Sequence, residues 1–174
     1  DAPYTEDDAT SPVNLYARSK LLGEKFVKNN SLDYIIVRTN MYGIGSSRGE
    51  SLVEWAISNM SNNSNINGFS DLFFNPLSVL QISKAVSFLI KEDFSGTINV
   101  AGDYTISKYE FLCNLARALG FNPNLVNRSI SDHYFKVKRP KNTTLDVKNL
   151  KQLGFNDLEL DHGMSYIKNK LSED

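Results

Sequence analysis

Asn14-Leu15-Tyr16-Ala17-Arg18-Ser19-Lys20-Leu21-Leu22-Gly23-Glu24 reads as the first turns of an amphipathic helix that carries Tyr16 and Lys20 four residues apart. Side chains at i and i+4 are neighbours on a helix surface, with Cβ atoms about 5–6 Å apart. An ammonium beside a phenol favours the phenolate, so the spacing predicts a tyrosine tuned to donate a proton near neutral pH. Alone, the spacing is permissive, since it recurs at Tyr104/Lys108, Tyr134/Lys138 and Tyr166/Lys170. Only Tyr16 stands behind an acidic, proline-punctuated leader and ahead of an apolar β-type run that ends in Arg38-Thr39-Asn40.

Working outward, residues 1–11 form an irregular leader, and Thr10-Ser11-Pro12 predicts the helix start. Leu15, Leu22, Phe26 and Val27 recur at helical spacing, and Asn29-Asn30-Ser31 stops the helix. Asp33 to Thr39 is β-branched and almost continuously apolar, which predicts a strand buried on both faces of a parallel sheet. Helix followed by buried strand is half of a βαβ unit.

Further along, Gly43-Ile44-Gly45-Ser46-Ser47-Arg48-Gly49 predicts a mobile loop, and Ser51 to Met60 a helix. Short strands are expected at Ile66–Phe69 and Leu72–Phe74, a break at Asn75-Pro76, a helix from Leu80 to Lys91, and a strand between Gly96 and Gly102. Ser107-Lys108-Tyr109-Glu110 has the form of a capping box, opening a helix that Gly120 closes. A strand at Leu125–Ile130, a break at Arg139-Pro140, a short helix from Val147 to Leu153 and a last helix from Leu160 to Leu171 complete the pattern. Alternating strands and helices make the class α/β.

Length and composition bound the function. The 174 residues suit one domain with a sizeable core, at 41% hydrophobic content. Nineteen Lys and Arg nearly balance twenty Asp and Glu, leaving no bulk field to draw the chain onto nucleic acid or an anionic membrane. Cys113 is the single cysteine and His133 and His162 fall in no ligand spacing, so no disulfide and no metal site are expected. No apolar run approaches a membrane span, and the acidic start does not resemble a signal peptide, so a cytoplasmic protein is expected. The absence of an initiator Met suggests a chain that begins inside a longer product.

Taken together, Asn14 to Glu24, then Val37-Arg38-Thr39-Asn40-Met41-Tyr42-Gly43, then Arg139-Pro140 with Thr144-Leu145-Asp146, resemble the extended short-chain dehydrogenase/reductase superfamily. Within it the chain is most similar to dTDP-4-dehydrorhamnose reductases and their sugar-nucleotide-binding relatives, over nearly its whole length. The resemblance implies the C-terminal part of a Rossmann-type fold, with parallel strands plus a small mixed α/β substrate-binding region. Residues 1–60 would hold the remainder of the Rossmann core with the Tyr-x-x-x-Lys helix, and 61–174 mainly the substrate-binding region and closing helices. It further implies an NAD(P)-dependent oxidoreductase acting on a CH-OH group of a nucleotide sugar: Tyr16 protonates a substrate carbonyl oxygen, and Lys20 is its partner and holds the ribose of NAD or NADP.

Two departures from the family pattern stand out. The glycine-rich phosphate loop and the catalytic Ser or Thr expected before the tyrosine are not in this chain, so the fragment alone is expected to be inactive and to bind no nicotinamide cofactor. Where rhamnose-forming reductases read R-T-S-W-V-Y, this chain reads Arg38-Thr39-Asn40-Met41-Tyr42-Gly43, without the tryptophan that packs on the sugar, and the hexose stays open. Asn40, at the carboxyl end of a parallel strand, and Arg139, in a basic segment with Lys136, Lys138 and Lys141, are the candidate substrate-binding residues. Arg38, on a buried strand, calls for a carboxylate, and Glu24 is the expected partner. The run Gly43-x-Gly45 to Gly49, with Asp71 some twenty residues on, imitates a dinucleotide fingerprint. However, Arg38 to Tyr42 intervene between strand and glycine, and a substrate-side loop is the better reading. Alternatives are a nucleotide-sugar epimerase or dehydratase, and a non-catalytic sugar-nucleotide-binding or regulatory subunit. Removal of the first strands would expose apolar faces, which makes a homo-oligomer an expectation.

Overall fold

In the computed structural model, residues 2–45, 51–132 and 134–173 are described. Most of the loop expected at Gly43–Gly49 lies outside them, as does His133. Helix α1 (Leu15–Asn30) begins three residues later than Ser11-Pro12 suggests. Its N-cap is Asn14, whose Oδ1 accepts from the Ala17 amide at 2.8 Å, satisfying a first-turn donor that a proline cannot. Strand β1 (Ile35–Thr39) and the two-residue β2 (Met41–Tyr42) follow, then α2 (Leu52–Ser61), capped by Ser51 and Glu54 in a reciprocal box.

Strands β3 (Ile66–Phe69), β4 (Phe73–Phe74) and β5 (Leu77–Ser78) lead into α3 (Val79–Lys91), which Ser78 and Gln81 cap in the same way. Strands β6 (Gly96–Val100) and β7 (Ile106–Ser107) precede α4 (Lys108–Leu119), whose Ser107/Glu110 box is present as the spacing predicts. Gly120 ends α4 at φ +78°, where a residue without Cβ avoids strain. A 3₁₀ turn, β8 (Val126–Ser129), α5 (Lys148–Gln152) and α6 (Leu160–Glu173) complete the chain.

Among the described residues, three of the four strand pairs are parallel. β1 lies beside β6 in register Ile35 to Gly96 through Thr39 to Val100, β2 beside β5, and β3 beside β8, while β4 and β7 run antiparallel. One core gathers Tyr42, Val53, Met60, Phe74, Phe111, Leu115 and Ile167 between α2, α4 and α6; a second gathers Leu77, Leu89, Ile98, Val100 and Leu150 between α3, α5 and β6. Cys113 is buried in the first, as its helical apolar setting suggests.

The α1 face departs from expectation. Helix α1 buries no residue: Leu15 is 81% exposed and Phe26 70%. Strand β1 buries only Ile36, and among the described residues its sole ladder partner is β6, so it is not covered on both faces. The composition of β1 is that of an interior strand, but here it is an edge.

Candidate functional site

Helix α1 is tied to β1 through Glu24 and Arg38, and Asn14 at its head and Asn40 just past the strand's carboxyl end both bond to the segment 138–143, so the head of α1 and that end of the strand, where ligands bind in open α/β sheets, share one neighbour. Tyr16 is 71% exposed, and the Lys20 ammonium lies 5.3 Å from the centre of its ring. The helix thus brings the two together on one open face. The other three spacings differ: Tyr104 is half-buried with its hydroxyl donated to the Pro76 carbonyl, Tyr134 sits in an irregular segment, and Tyr166 rides on α6 at the far end of the chain.

Residues 134–145, anchored beside Ser131, are strapped across this end of β1. Asn14, two residues before Tyr16, donates from Nδ2 to the Lys138 carbonyl at 3.1 Å. Asn40 donates from Nδ2 to the Thr143 carbonyl at 2.8 Å, and its Oδ1 accepts from the Thr143 hydroxyl at 3.3 Å. The strap therefore touches the catalytic-type helix at Lys138 and the end of β1 at Thr143, with Arg139 between them. The Asn40 amide faces the strap with both of its polar atoms engaged there. Arg139 stacks its guanidinium 4.5 Å from the Phe135 ring, and Phe135 and Tyr134 pack on Phe69 with ring centres 5.2 and 4.8 Å away.

Buried and half-buried polar side chains tie this strap and the leader to the rest of the fold. Asn75, almost fully buried, donates to the carbonyls of Gly102 and Leu145, each at 2.8 Å, and accepts from the Leu145 amide at 3.0 Å. Asp71 accepts from the Ser131 amide and hydroxyl, both at 2.9 Å, and pairs with Lys141. Its partial desolvation works the other way, but Lys141 and Ser131 prevail and hold the carboxyl down at about 2. Glu6 of the leader accepts the Asn99 amide at the open side of β6 at 2.9 Å and the Asn149 amide at 2.8 Å. Asp71 was read only as part of an imitated fingerprint and Asn75 only as part of a chain break, so the role of these residues was visible only in three dimensions.

The expected Arg38–Glu24 pair is present and two-pronged, with Arg38 Nε 3.0 Å from Glu24 Oε1 and Nη2 2.8 Å from Oε2. Its third nitrogen, Nη1, donates to the Glu6 carbonyl at 3.0 Å, tying leader, helix and strand together. Among the described residues, no group of three His, Cys, Asp or Glu side chains is placed to hold a metal ion, and no helix is long and apolar enough to cross a membrane.

With helix, strand and strap in this arrangement, the profile of the family described as RmlD substrate binding domain matches residues 1–166. The chain belongs to this family. Its α/β architecture, with parallel strand pairs, matches the C-terminal part of Rossmann-type dTDP-4-dehydrorhamnose reductases. The NADP complex of that reductase from Bacillus anthracis superposes with a TM-score of 0.86 at 25% identity, over 96% of this chain and 59% of the other. The Clostridium acetobutylicum reductase gives 0.85 at 26% identity, over 99% and 61%.

Among curated proteins, methionine adenosyltransferase 2 subunit beta of Rattus norvegicus is 33% identical over 162 residues, covering 87% of this chain and 48% of the relative. The probable low-salt glycan biosynthesis reductase Agl14 of Haloferax volcanii is 25% identical over 181 residues, covering 99% and 59%. The chain thus spans about half the length of the curated relatives it matches.

Proposed function

We propose that this RmlD-family chain is the substrate-binding part of an NAD(P)-dependent reductase that converts the 4-keto group of a nucleotide sugar to an alcohol. The observation that carries the reading is the Tyr16/Lys20 pair, with its ammonium 5.3 Å from the ring and open on the face of α1. A bound nicotinamide cofactor supplies the hydride. The Tyr16 hydroxyl then delivers the proton to the carbonyl oxygen as charge develops there, with the Lys20 ammonium on the same face of the helix.

The residues present fit one part of such a cofactor. Lys20 has no carboxylate partner among the described residues, which leaves its ammonium free to donate to a ribose hydroxyl. Groups that would hold the pyrophosphate belong to the part of the parent protein outside this chain. In this division residues 1–60 carry the Tyr16/Lys20 helix and its strand, and 61–174 the substrate region. Arg139 faces the substrate, and Asn40, through Thr143, holds the strap that presents it.

The test is reductase turnover by the full-length parent on a 4-keto sugar nucleotide, followed by oxidation of the reduced cofactor. Tyr16→Phe should lower kcat by about 10²–10⁴-fold with little change in KM, the range for loss of a positioned proton donor. Wild-type turnover unaffected by Tyr16→Phe would rule out the assigned role.

A second reading is a non-catalytic regulatory subunit, favoured by the 33% identity to subunits of methionine adenosyltransferase. It predicts no turnover of any 4-keto sugar nucleotide by the parent and stable association with a separate enzyme. An epimerase or dehydratase would instead turn over substrate without net consumption of added reduced cofactor.

A further inference from the structure

We infer that Asn75 is a positioning residue for the substrate, the side chain that sets the strap over the carboxyl ends of β1 and β6, an inference that rests on the reductase reading above. Asn75-Pro76-Leu77 lies between those two ends. The Asn40 carbonyl, just past β1, accepts the Leu77 amide at 2.9 Å, and the Gly102 amide, two residues past β6, donates to the Asn75 carbonyl at 2.9 Å. Proline at position 76 biases the residue before it to extended backbone, so the Asn75 side chain is aimed by its own main chain.

It is aimed at the strap. Asn75 is 1% exposed, and its amide takes Leu145 by both main-chain groups: Nδ2 donates to the Leu145 carbonyl at 2.8 Å and Oδ1 accepts the Leu145 amide at 3.0 Å. One side chain thereby does for Leu145 what a paired strand residue does in a ladder. The second Nδ2 hydrogen goes to the Gly102 carbonyl at 2.8 Å. Asn40 Nδ2 lies 3.5 Å from the same Oδ1 while donating to the Thr143 carbonyl at 2.8 Å. Every donor and acceptor of the Asn75 amide is thus spent on joining the strap to the two strand ends.

The other ties differ in place or kind. Tyr4 bonds to Thr144 and Asp146, and Asn99 to Asp146, which fastens the strap to the leader and to the interior of β6. Asn14 to Lys138 and the Lys141 ion pairs lie at the surface, where water competes. The Leu145 side chain rests on the second core, but apolar contact is non-directional. A cavity of about 460 Å³ lined by Asn75, Gly102, Tyr104, Thr144 and Leu145 among others leaves room for the backbone to shift. The position of the strap over the strand ends is therefore set by directional bonds at a buried residue, where loss of one leaves a main-chain group unsatisfied. Because the strap also meets Asn14 at the head of the Tyr16 helix, its displacement alters the space for substrate without touching the phenol.

The experiment compares the full-length parent with two variants, in turnover of a 4-keto sugar nucleotide and in amide hydrogen exchange. Asn75→Asp keeps the volume and the acceptor for the Leu145 amide but removes both donations, and Asn75→Ser removes the whole amide group. Each should raise KM for the sugar nucleotide by about five- to ten-fold, with kcat within about two-fold and KM for the reduced cofactor unchanged. Exchange of the Leu145 amide should be about ten-fold faster in Asn75→Ser, while α4 keeps its protection. Melting curves identify the folded variants. A lowered Tm with wild-type kinetic constants would make Asn75 a stability residue only and overturns the assignment, as does Leu145 exchange no faster than in the wild type. A wild-type parent that turns over no 4-keto sugar nucleotide counts against the reductase reading instead, and the exchange of Leu145 still decides whether Asn75 sets the strap.

Discussion

Arg38 and Glu24 bind each other through two parallel hydrogen bonds of 3.0 and 2.8 Å, joining the carboxyl-terminal part of β1 to the third turn of α1, the helix that presents Tyr16. Both side chains are about four-fifths buried, at 18% and 20% exposure. The Arg38 hydrogen bonds hold the Glu24 carboxyl below the usual glutamate value, against the opposing effect of its partial burial.

Glu24→Gln should therefore destabilise the chain by about 2 kcal/mol, within the range for hydrogen bonds to a charged group. The sign in pH follows from a folded-state value below the unfolded one. The contribution is complete above the ordinary glutamate value near 4.5 and is lost as pH falls below it. Urea unfolding at pH 7 and pH 3.5 checks both, with the gap between wild type and variant closing at the lower pH. A constant gap would mean that charge pairing is not what Glu24 contributes.

The uncovered face of α1 gives a second prediction. Phe26 is exposed, so Phe26→Ala should change the stability of the isolated chain by no more than about 0.5 kcal/mol, where a core phenylalanine such as Phe111 should cost about 3–5 kcal/mol. The same face should drive self-association, which Leu22→Glu together with Phe26→Glu reverses. Sedimentation velocity of both forms reads this directly. A wild-type chain that stays monomeric at high concentration would show that α1 is not sticky enough to need a cover.

Gly163 gives a third. It lies on α6 where a Cβ would run into the Tyr42 hydroxyl and come within 2.6 Å of Gln81 Oε1. Those two side chains dock the start of α6, Tyr42 through the Leu160 carbonyl at 3.4 Å and Gln81 through the Glu159 carbonyl at 2.9 Å. Helix propensity favours alanine over glycine by about 1 kcal/mol, but overpacking costs about 1–3 kcal/mol, so Gly163→Ala should be net destabilising in a thermal melt. A raised Tm would show that the Tyr42 ring yields easily.

The sequence was legible where local chemistry dictates structure. Ser107 with Glu110 and Gly120 bounded α4, and the apolar run to Thr39 formed a parallel strand, because caps and side-chain alternation act over a few residues. The Arg38–Glu24 pair was legible too, since a charged residue on an apolar strand demands a partner and the helix before it offers one. What was not legible depends on contacts remote in sequence. Asn75 bonding to Leu145, Glu6 to Asn99 and Asp71 to Ser131 leave no periodic trace. Within the site, Tyr16 and Lys20 were readable as neighbours on one helix turn. Lys108, read only as part of a capping box and as one of four copies of a permissive spacing, was not singled out, because its burial against Phe74 appears only in three dimensions.

Lys108 yields the last prediction. Burial and the nearby Arg139 charge lower its folded-state value to about 7, against 10.5 for a free lysine, so between those limits the folded chain binds fewer protons than the unfolded one. Stability contributed through this group therefore rises with pH across that window, by up to about 1.4 kcal/mol per pH unit, and is lowest below pH 7. Lys108→Met removes the titrating group and keeps an apolar chain against Phe74. At pH 6.5 the variant should be more stable than wild type, and the advantage should shrink steadily as unfolding is measured at pH 7.5, 8.5 and 9.5. A variant no more stable than wild type at pH 6.5 would mean that the Lys108 ammonium is at ease in its place.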